Sequence, residues 1–574
     1  MLIQSRYYFI LFLLGGFLSL SAQDRKKDTI DTDVVNVVKP YTPTISDAFK
    51  IKEVPSLRDS SAMEKKPIKY NIFSIPVAST FIPAKAKAAT VDKEKPVKLY
   101  DNYASLGLGS YTTVLGEVYL NHELSRDERV GGYFSHHSSD GNVEGISFDN
   151  NFSETGLSAH YTNHQRDFTW KVEGGFNLQS FNWYGLPDQT INPFEVDQNY
   201  HTAQFGGNIN FEDSVIEEGS VLYRRFGDAR NSGENRFILN SDFTIPISDE
   251  NIRTEFKIDY IGGSFDHNYF SEVGIDYGNI NFSLSPSYQL IQDDLTLNLG
   301  VTFTYLNATE GNGNAFYVYP KITASYRLVD EIMIAYGGIE GGLIQNSFHD
   351  FAQINPFVSP TLFIAPTDQV YDVSAGLKGK LSNTMAYSVS GHYQSDNNRA
   401  FFKANPDLGA NRKDYQFGNS FGVVYDDVST FSIAGELKVD FNRNFKLGLN
   451  AQYFTYSTDN EAEAWNLPDI EASAFFDYQI DDNWFAGASV FYVGERKDQF
   501  NVFVDSIENS NGDPATVSLD SYFDANAHVG YKINDRLSAF IKGNNLVGEN
   551  YNRWLNYPVQ GIQFLAGATY QFDF

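Results

Sequence analysis

The sequence predicts an all-β protein: a transmembrane antiparallel β-barrel of about 22 strands, within a span of roughly 20 to 24, preceded by an extended N-terminal periplasmic segment. Three observations predict it. First, the last strand alternates without a break. Ile562, Phe564, Ala566, Ala568, Tyr570, Phe572 and Phe574 share one parity, and Gln563, Leu565, Gly567, Thr569, Gln571 and Asp573 share the other. Successive side chains of a strand point to opposite faces, so this segment has one apolar and one mostly polar face. Second, the chain opens on a short apolar leader, and beyond it no run of about 18 apolar residues is available for a membrane helix. Third, aromatic residues make up 15% of the chain at a mean hydropathy of -0.34, and nearly every candidate segment has a period of two. In hydrocarbon all backbone polar groups must be paired within the protein, which leaves helices or closed barrels. A barrel reads as hydrophilic on average because half of each strand faces a polar lumen.

Residues 1–23 read as a secretory signal. Arg6 is their only charge, Tyr7 to Leu20 is almost wholly apolar, and Ser21-Ala22 supplies small residues at a cleavage point near Ala22 or Gln23. The chain has no cysteine, so neither a lipoprotein signal nor a disulfide is possible. Residues 24–98 form a second unit. Prolines recur at 40, 43, 55, 67, 76, 83 and 96, lysines cluster at 65, 66 and 69 and again from 85 to 98, and no helical or strand period persists. The composition is that of an extended, partly disordered periplasmic segment with short ordered contacts.

Residues 99–574 are read as the barrel. Leu295, Leu297, Leu299, Val301, Phe303 and Tyr305 alternate with Thr296, Asn298, Gly300, Thr302 and Thr304. Segments 445–453 and 523–532 repeat the pattern, with polar sets too large for a sandwich core and suited to a wet lumen. Short polar turns at Ser248-Asp249-Glu250, Asp293-Asp294, Leu381-Ser382-Asn383, Asn442-Arg443-Asn444, Asp481-Asp482 and Asn534-Asp535 separate hairpins. Long connections fall between them at 181–199, 346–368, 457–465, 497–520 and 548–559. Short periplasmic turns with long outer loops are the outer-membrane pattern. Between 397 and 428 the parity is unclear, and a short extra strand is expected near Phe401-Phe402.

Charge is divided unevenly. Residues 24–98 carry 15 Lys+Arg against 10 Asp+Glu, a net of +5, whereas 99–574 carry 27 against 62, a net of -35. A basic segment is attached to a strongly acidic body. No nucleic-acid partner is expected; outer-membrane lipid is.

The end of the chain also carries a family resemblance. Leu537-Ser538-Ala539-Phe540, Asn544-Asn545-Leu546, Tyr551, Tyr557-Pro558, Gly561 and the strand to Phe574 resemble the last hairpin of TonB-dependent receptors. Upstream, Asn466-Leu467-Pro468, Trp484 and Gly494-Glu495-Arg496 are similar to the preceding hairpins of that family. The resemblance implies a 22-stranded barrel in the outer membrane of a Gram-negative bacterium, filled by a folded N-terminal plug. Residues 24–98 are too few for such a plug, and a plug of usual size is expected to be absent. Asp31, Thr32, Asp33, Val34, Val35, Asn36, Val37 and Val38 resemble a TonB box, in which Asp31, Thr32, Val34, Val35, Val37 and Val38 bind the partner TonB by adding a strand to its sheet edge. The same strip also suits docking on the barrel's own periplasmic rim, or a linker. Tyr570, Phe572 and Phe574 are expected to be the signal read by the barrel-assembly machinery.

Other motifs are weaker. Gly418-Asn419-Ser420-Phe421-Gly422 matches a nucleophile elbow, which needs a strand-to-helix turn, yet here the segment reads as strand interior. His136-His137 point to opposite faces of a strand and do not share a metal. Asp505, Asn509, Asn511 and Asp513 offer oxygen ligands of the kind calcium prefers, without the spacing of a known calcium loop, so a solvated loop is the better reading. Trp554 and Tyr557 read as lipid-interface aromatics, with sugar stacking as the alternative. No catalytic residue, metal site or cofactor is expected, and the protein is not read as an enzyme. Two functions remain. One is uptake or passage of a small solute, with 24–98 occluding the acidic barrel. The other is a plugless structural or assembly partner in an outer-membrane complex.

Overall fold

The computed structural model describes residues 99–189, 196–248, 250–311, 313–408, 412–442, 444–500 and 515–574. The expected leader, the basic segment with its TonB-box-like strip, and Asp505, Asn509, Asn511 and Asp513 lie outside these residues.

Strands follow one another almost without interruption. The first half of the chain gives Asn102–Gly109 (β1), Val114–Ser125 (β2), Glu128–Ser139 (β3), Phe152–His164 (β4), Phe168–Asn182 (β5), Asp197–Phe211 (β6), Ile216–Asp228 (β7) and Gly233–Ile247 (β8). Then come Glu250–Phe265 (β9), Ile275–Gln292 (β10), Leu295–Ala308 (β11), Ala315–Val329 (β12) and Met333–Ile344 (β13). A short helix, Phe348–Ile354 (α1), precedes Thr367–Ser382 (β14), Met385–Ala404 (β15), Phe421–Asn442 (β16), Phe445–Thr458 (β17), Ile470–Gln479 (β18) and Trp484–Val493 (β19). Arg496–Phe500 (β20) and Ala515–Leu519 (β21) make a separate hairpin before Tyr522–Lys532 (β22) and Leu537–Asn544 (β23). Asn552–Trp554 (β24) and Tyr557–Pro558 (β25) pair with each other, and Gln563–Phe572 (β26) ends the chain.

Apart from the two small pairs, the strands form one 22-stranded antiparallel sheet, each bonded to its sequence neighbours. β26 pairs with both β23 and β1, in registers Leu537↔Tyr570 and Leu108↔Ala566, and so closes the sheet into a barrel. Closure removes every free edge, the condition for strands in lipid. No helix among the described residues is long and apolar enough to cross a membrane; the strands do so.

Alternation decides which side chains face out. Leu106 and Leu108 on β1, Phe564 and Tyr570 on β26, Leu299 and Tyr305 on β11, and Val529 and Tyr531 on β22 are all exposed on the outer wall. Apolar surface of this extent is costly in water, at about 25 cal/mol per Å², and costs nothing against hydrocarbon. The other parity is polar and bonded strand to strand: Ser105 Oγ to Thr569 Oγ1 at 3.0 Å, Ser283 to Thr304 at 2.9 Å, Ser285 to Thr302 at 2.8 Å, and Asn298 Nδ2 to Thr323 Oγ1 at 3.0 Å.

Two expectations are corrected. Phe401-Phe402 is not a separate strand. It is the upper part of β15, and the parity breaks because the register against β16 shifts between Asp396 and Arg399. A bulge of this kind adds a residue to one strand and reverses its face. Gly418–Gly422 is not strand interior either. Gly418 has φ 74, and β16 begins only at Phe421.

Candidate functional site: the long-loop mouth of the barrel

The connections at one end of the barrel are tight turns. At the other end most are long, the four-residue links 110–113 and 229–232 apart, and the long ones pack on one another inside the mouth. A chain of rings crosses it. Phe181, near the end of β5, lies 5.8 Å from Phe357; Phe357 stacks on Tyr557 at 3.7 Å with planes 20° apart. Tyr557 lies 6.0 Å from Phe421, Phe421 lies 5.5 Å from Trp554, and Trp554 meets Phe402 of β15 at 5.4 Å. In a ring of 22 strands β5 and β15 are nearly opposite, so these contacts span the lumen.

Polar groups inside this layer find partners in other loops. Asn419 donates from Nδ2 to the carbonyls of Trp183 and Asp414, each at 2.9 Å, and its own carbonyl accepts from the Tyr557 hydroxyl. The hydroxyls of Tyr184 and Tyr200 donate to the carbonyls of Pro558 and Pro356, both at 3.0 Å. Ser359 N–H donates to Phe421 O at 2.8 Å, and Phe421 N–H to Phe357 O at 3.0 Å. Trp183 and Val358 are fully buried, and Tyr557 nearly so.

The segment between β13 and β14 enters the mouth as helix α1. Ser347 caps it, its hydroxyl accepting from Asp350 N–H at 3.0 Å. The apolar side of α1 meets the wall, where Phe348 lies 4.9 Å from Phe226 and 5.0 Å from Phe265. Beside it sits an ionic cluster. Glu234 on β8, 1% exposed, accepts from Phe348 N–H at 2.6 Å and from the Tyr277 hydroxyl at 2.8 Å. Arg236 holds Asp259 through two bonds of 2.9 Å and reaches Asp350 at 2.8 Å. Arg224 lies 3.2 Å from Asp350 and 3.8 Å from Glu234. Burial pushes the Asp350 carboxyl up, but the bond with His349, the two arginines and the Ser347 hydroxyl outweigh it and hold Asp350 below the usual carboxylate range.

The remaining candidates separate clearly. Trp554 and Tyr557 face neither lipid nor solvent: both are buried in the mouth, because their loop folds inward. Ser420 is fully buried and donates to Tyr415 O at 2.6 Å, so it serves the loop and is no exposed nucleophile. His136 bonds Thr155 at 2.8 Å while His137 packs on Phe152 at 5.1 Å. Among the described residues no three His, Cys, Asp or Glu side chains are placed to hold a metal. Tyr570 and Phe572 stack at 5.9 Å on the last strand, and Phe572 lies 5.6 Å from Phe574. Several lumen carboxylates are matched on the wall itself, Glu255 with Lys321 at 2.6 Å, Asp259 with Lys257 at 3.1 Å and Glu436 with Lys438 at 2.8 Å.

Glu234, Arg236 and Asp350 were not singled out from sequence, and Asn419 entered only as part of the Gly418–Gly422 motif. Strand parity marks wall residues as inward without saying what they meet. Only Ser347-Phe348-His349-Asp350 carries a local signal, a cap residue followed three places on by an acid that opens a helix.

Residues 99–546 match the family described as TonB dependent receptor-like, beta-barrel. Among solved structures, the pyoverdine outer membrane receptor FpvA from Pseudomonas aeruginosa PAO1 matches with a TM-score of 0.61 at 12% identity, covering 84% of this chain and 80% of that one. The siderophore receptor PirA from Acinetobacter baumannii gives 0.60 at 12% identity, with 83% and 81% covered. The ferric-catecholate import receptor Fiu from K12 E. coli gives 0.57 at 12%, with 82% of each chain covered. At such identities the likeness is one of fold. No curated protein sequence matches.

Proposed function

Because this chain belongs to the TonB-dependent receptor-like β-barrel family, whose members sit in the Gram-negative outer membrane, we propose that it takes up or passes a small solute through a mouth closed by its own outer loops. The family and fold are those of receptors and transporters, not of enzymes. The observation that carries the proposal is the aromatic chain from Phe181 to Phe402, which crosses the lumen on the loop side. Loops that bury rings against one another, rather than against the wall alone, form a layer that is able to part. Structural relatives named for pyoverdine and ferric catecholates make a metal-chelate-sized solute the class to try first. In this reading TonB engages Asp31–Val38, and the basic stretch 24–98 lies at the periplasmic opening. Planar-bilayer conductance of the purified protein, with and without 24–98, is the test. Current that rises on deletion supports occlusion by that segment; equal currents make it a docking arm. A barrel that stays silent in both forms, and takes up no chelate, would sink the passage reading.

A second reading is favoured by the same layer. Its buried groups are bonded loop to loop as in a folded core, which also suits a barrel that serves as a structural partner in an outer-membrane complex. Affinity pull-down from detergent extracts separates the two: stable recovery of another membrane protein supports the partner, recovery alone the transporter. Tyr570, Phe572 and Phe574 serve in either case as the signal for the barrel-assembly machinery. Replacing all three by alanine lowers the yield of heat-modifiable barrel if so, and leaves it unchanged if not.

A further inference from the structure

We propose that residues 68–83 dock inside the barrel, their apolar side chains against a band of flat rings on the lumen wall around the closing seam. This rests on the reading that residues 24–98 sit at the periplasmic opening, and it assigns their hold to apolar burial rather than to charge.

The lumen wall is not uniform. On the far side of the ring, β9 and β12 carry paired charges, Glu255 with Lys321 at 2.6 Å. From β17 round to β3 the inward positions carry a band of rings. Phe475 on β18 lies over Gly448 of β17, Phe485 on β19 over Gly530 of β22, and Phe540 on β23 over Gly567 of β26; a methyl group at any of these glycines would overlap the ring. Gly567 has the parity of inward Thr569, so Phe540, which pairs with it, faces in. Over a glycine the ring lies flat on bare backbone instead of standing into the lumen. The band continues where Tyr103 stacks on Tyr119 at 5.9 Å with planes 18° apart, and where Tyr133 of β3 pairs with Tyr119. None of these rings belongs to the buried cluster of the mouth. Phe475, Phe485, Phe540, Tyr103 and Tyr133 sit in the short-turn halves of their strands. Within the band Glu117 of β2 is 5% exposed. Its Oε1 accepts from the Tyr133 hydroxyl at 3.3 Å, and among the described residues Oε2 has no hydrogen-bond partner. A buried carboxylate oxygen of this kind calls for a donor from elsewhere.

The segment fits by position, reach and composition. Asp101 N–H donates to Asp573 Oδ1 at 3.1 Å, and the Arg536 guanidinium lies 5.6 Å from the Tyr100 ring, so the chain is delivered at the short-turn end, in the middle of the band. Residues 84–98, fully extended, span at most about 50 Å, more than the roughly 25 Å height of an apolar barrel wall. Ile68, Tyr70, Ile72, Phe73, Ile75, Val77, Phe81 and Ile82 make 68–83 the most apolar stretch of 24–98, and Lys69 is its only charge. Pro76 and Pro83 have no N–H to give, and the closed barrel has no free edge, so the segment does not join the sheet as a strand. What remains is side-chain contact with the face of the wall, driven by removal of apolar surface from water. Lys69 or a backbone N–H of the segment supplies the donor that Glu117 Oε2 lacks.

The test uses the absence of cysteine from the chain. Ser74→Cys places one thiol in the segment. Ser489→Cys places a second in the band, on β19 opposite Phe475, whereas Ser325→Cys places it on the far wall, on β12. A bismaleimide much shorter than the lumen is wide is added to isolated outer membranes. Crosslinking of 74 to 489 is expected to exceed that of 74 to 325 by about tenfold. It should hold in about 1 M salt, where charge attraction is screened. Phe73→Ser together with Phe81→Ser should lower the 74 to 489 yield about tenfold, and these changes lie outside the barrel, so heat-modifiability checks that it still folds. Yields that are equal or absent at the two walls, that fall with salt, or that ignore the serine changes overturn the site. Crosslinking reports place and not current. Band-specific crosslinks with conductance unchanged on deletion of 24–98 therefore keep the site and remove occlusion, while conductance that rises on deletion with no preference between the walls keeps occlusion and removes the site.

Discussion

Tyr557 stands at the centre of the mouth, and its two contributions can be measured apart. Tyr557→Phe removes only the hydroxyl bond to Asn419 O and is expected to cost about 1 kcal/mol. Tyr557→Ala also empties a buried ring site and is expected to cost about 3 to 5 kcal/mol. Gly185→Ala belongs with the second, because a methyl there overlaps the Tyr557 ring. Denaturant unfolding in lipid ranks the three, and a Phe variant as damaging as the Ala variant would contradict the stacking account. A second residue-scale prediction concerns pH. Asp498 on the β20 hairpin is fully buried and accepts from Ala404 N–H at 3.0 Å and Asn466 Nδ2 at 2.8 Å. Burial pushes its carboxyl up to about 6, despite those donors. An unfolded aspartate titrates near about 3.9, so the folded state holds the proton more tightly. The stabilisation is complete below the unfolded value and is lost as pH rises through about 6. The hairpin's attachment to β15 should therefore be firmer at pH 5 than at pH 8, by about 1 kcal/mol. Hydrogen exchange at Ala404, corrected for intrinsic rate, reads this, and a pH-independent protection would exclude it.

At the scale of the element, parity is the working rule, and β26 tests it. Ala568 faces out and is paired with Leu106 and Ala539, while its neighbour Thr569 faces in and bonds Ser105. Ala568→Arg is expected to destabilise the barrel by about 2 to 4 kcal/mol if it sits near the bilayer midplane. Ala568→Leu should be close to neutral. The difference is measurable by folding into vesicles, and equal effects would mean that the face assignment is wrong. The same rule explains where sequence reading slipped. Around 397–428 a register shift in β15 reversed the faces, and a period-two pattern has no way to mark which residue is the extra one. Loops have no period at all, so Trp554 and Tyr557, read as interface aromatics, proved to be core.

At the scale of the whole molecule the charge imbalance makes its own prediction. If the +5 segment is drawn to the -35 body, protease cleavage within 24–98 should speed up as salt rises from low to about physiological strength, where the Debye length falls below about 10 Å. Cleavage indifferent to salt would exclude electrostatic docking.

The chain by itself determined the barrel, its membrane and its strand number. Those follow from alternation and turn spacing, which are local along the sequence and repeat 22 times, so that errors average out. Only the tertiary structure decided what closes the mouth. Phe181, Phe357, Phe421 and the pair Trp554 and Tyr557 are far apart in sequence and lie on or beside four different loops, and the ionic cluster of Glu234, Arg236 and Asp350 joins residues 114 positions apart. Such contacts depend on ring closure bringing distant loops over one opening, a condition that no local pattern encodes.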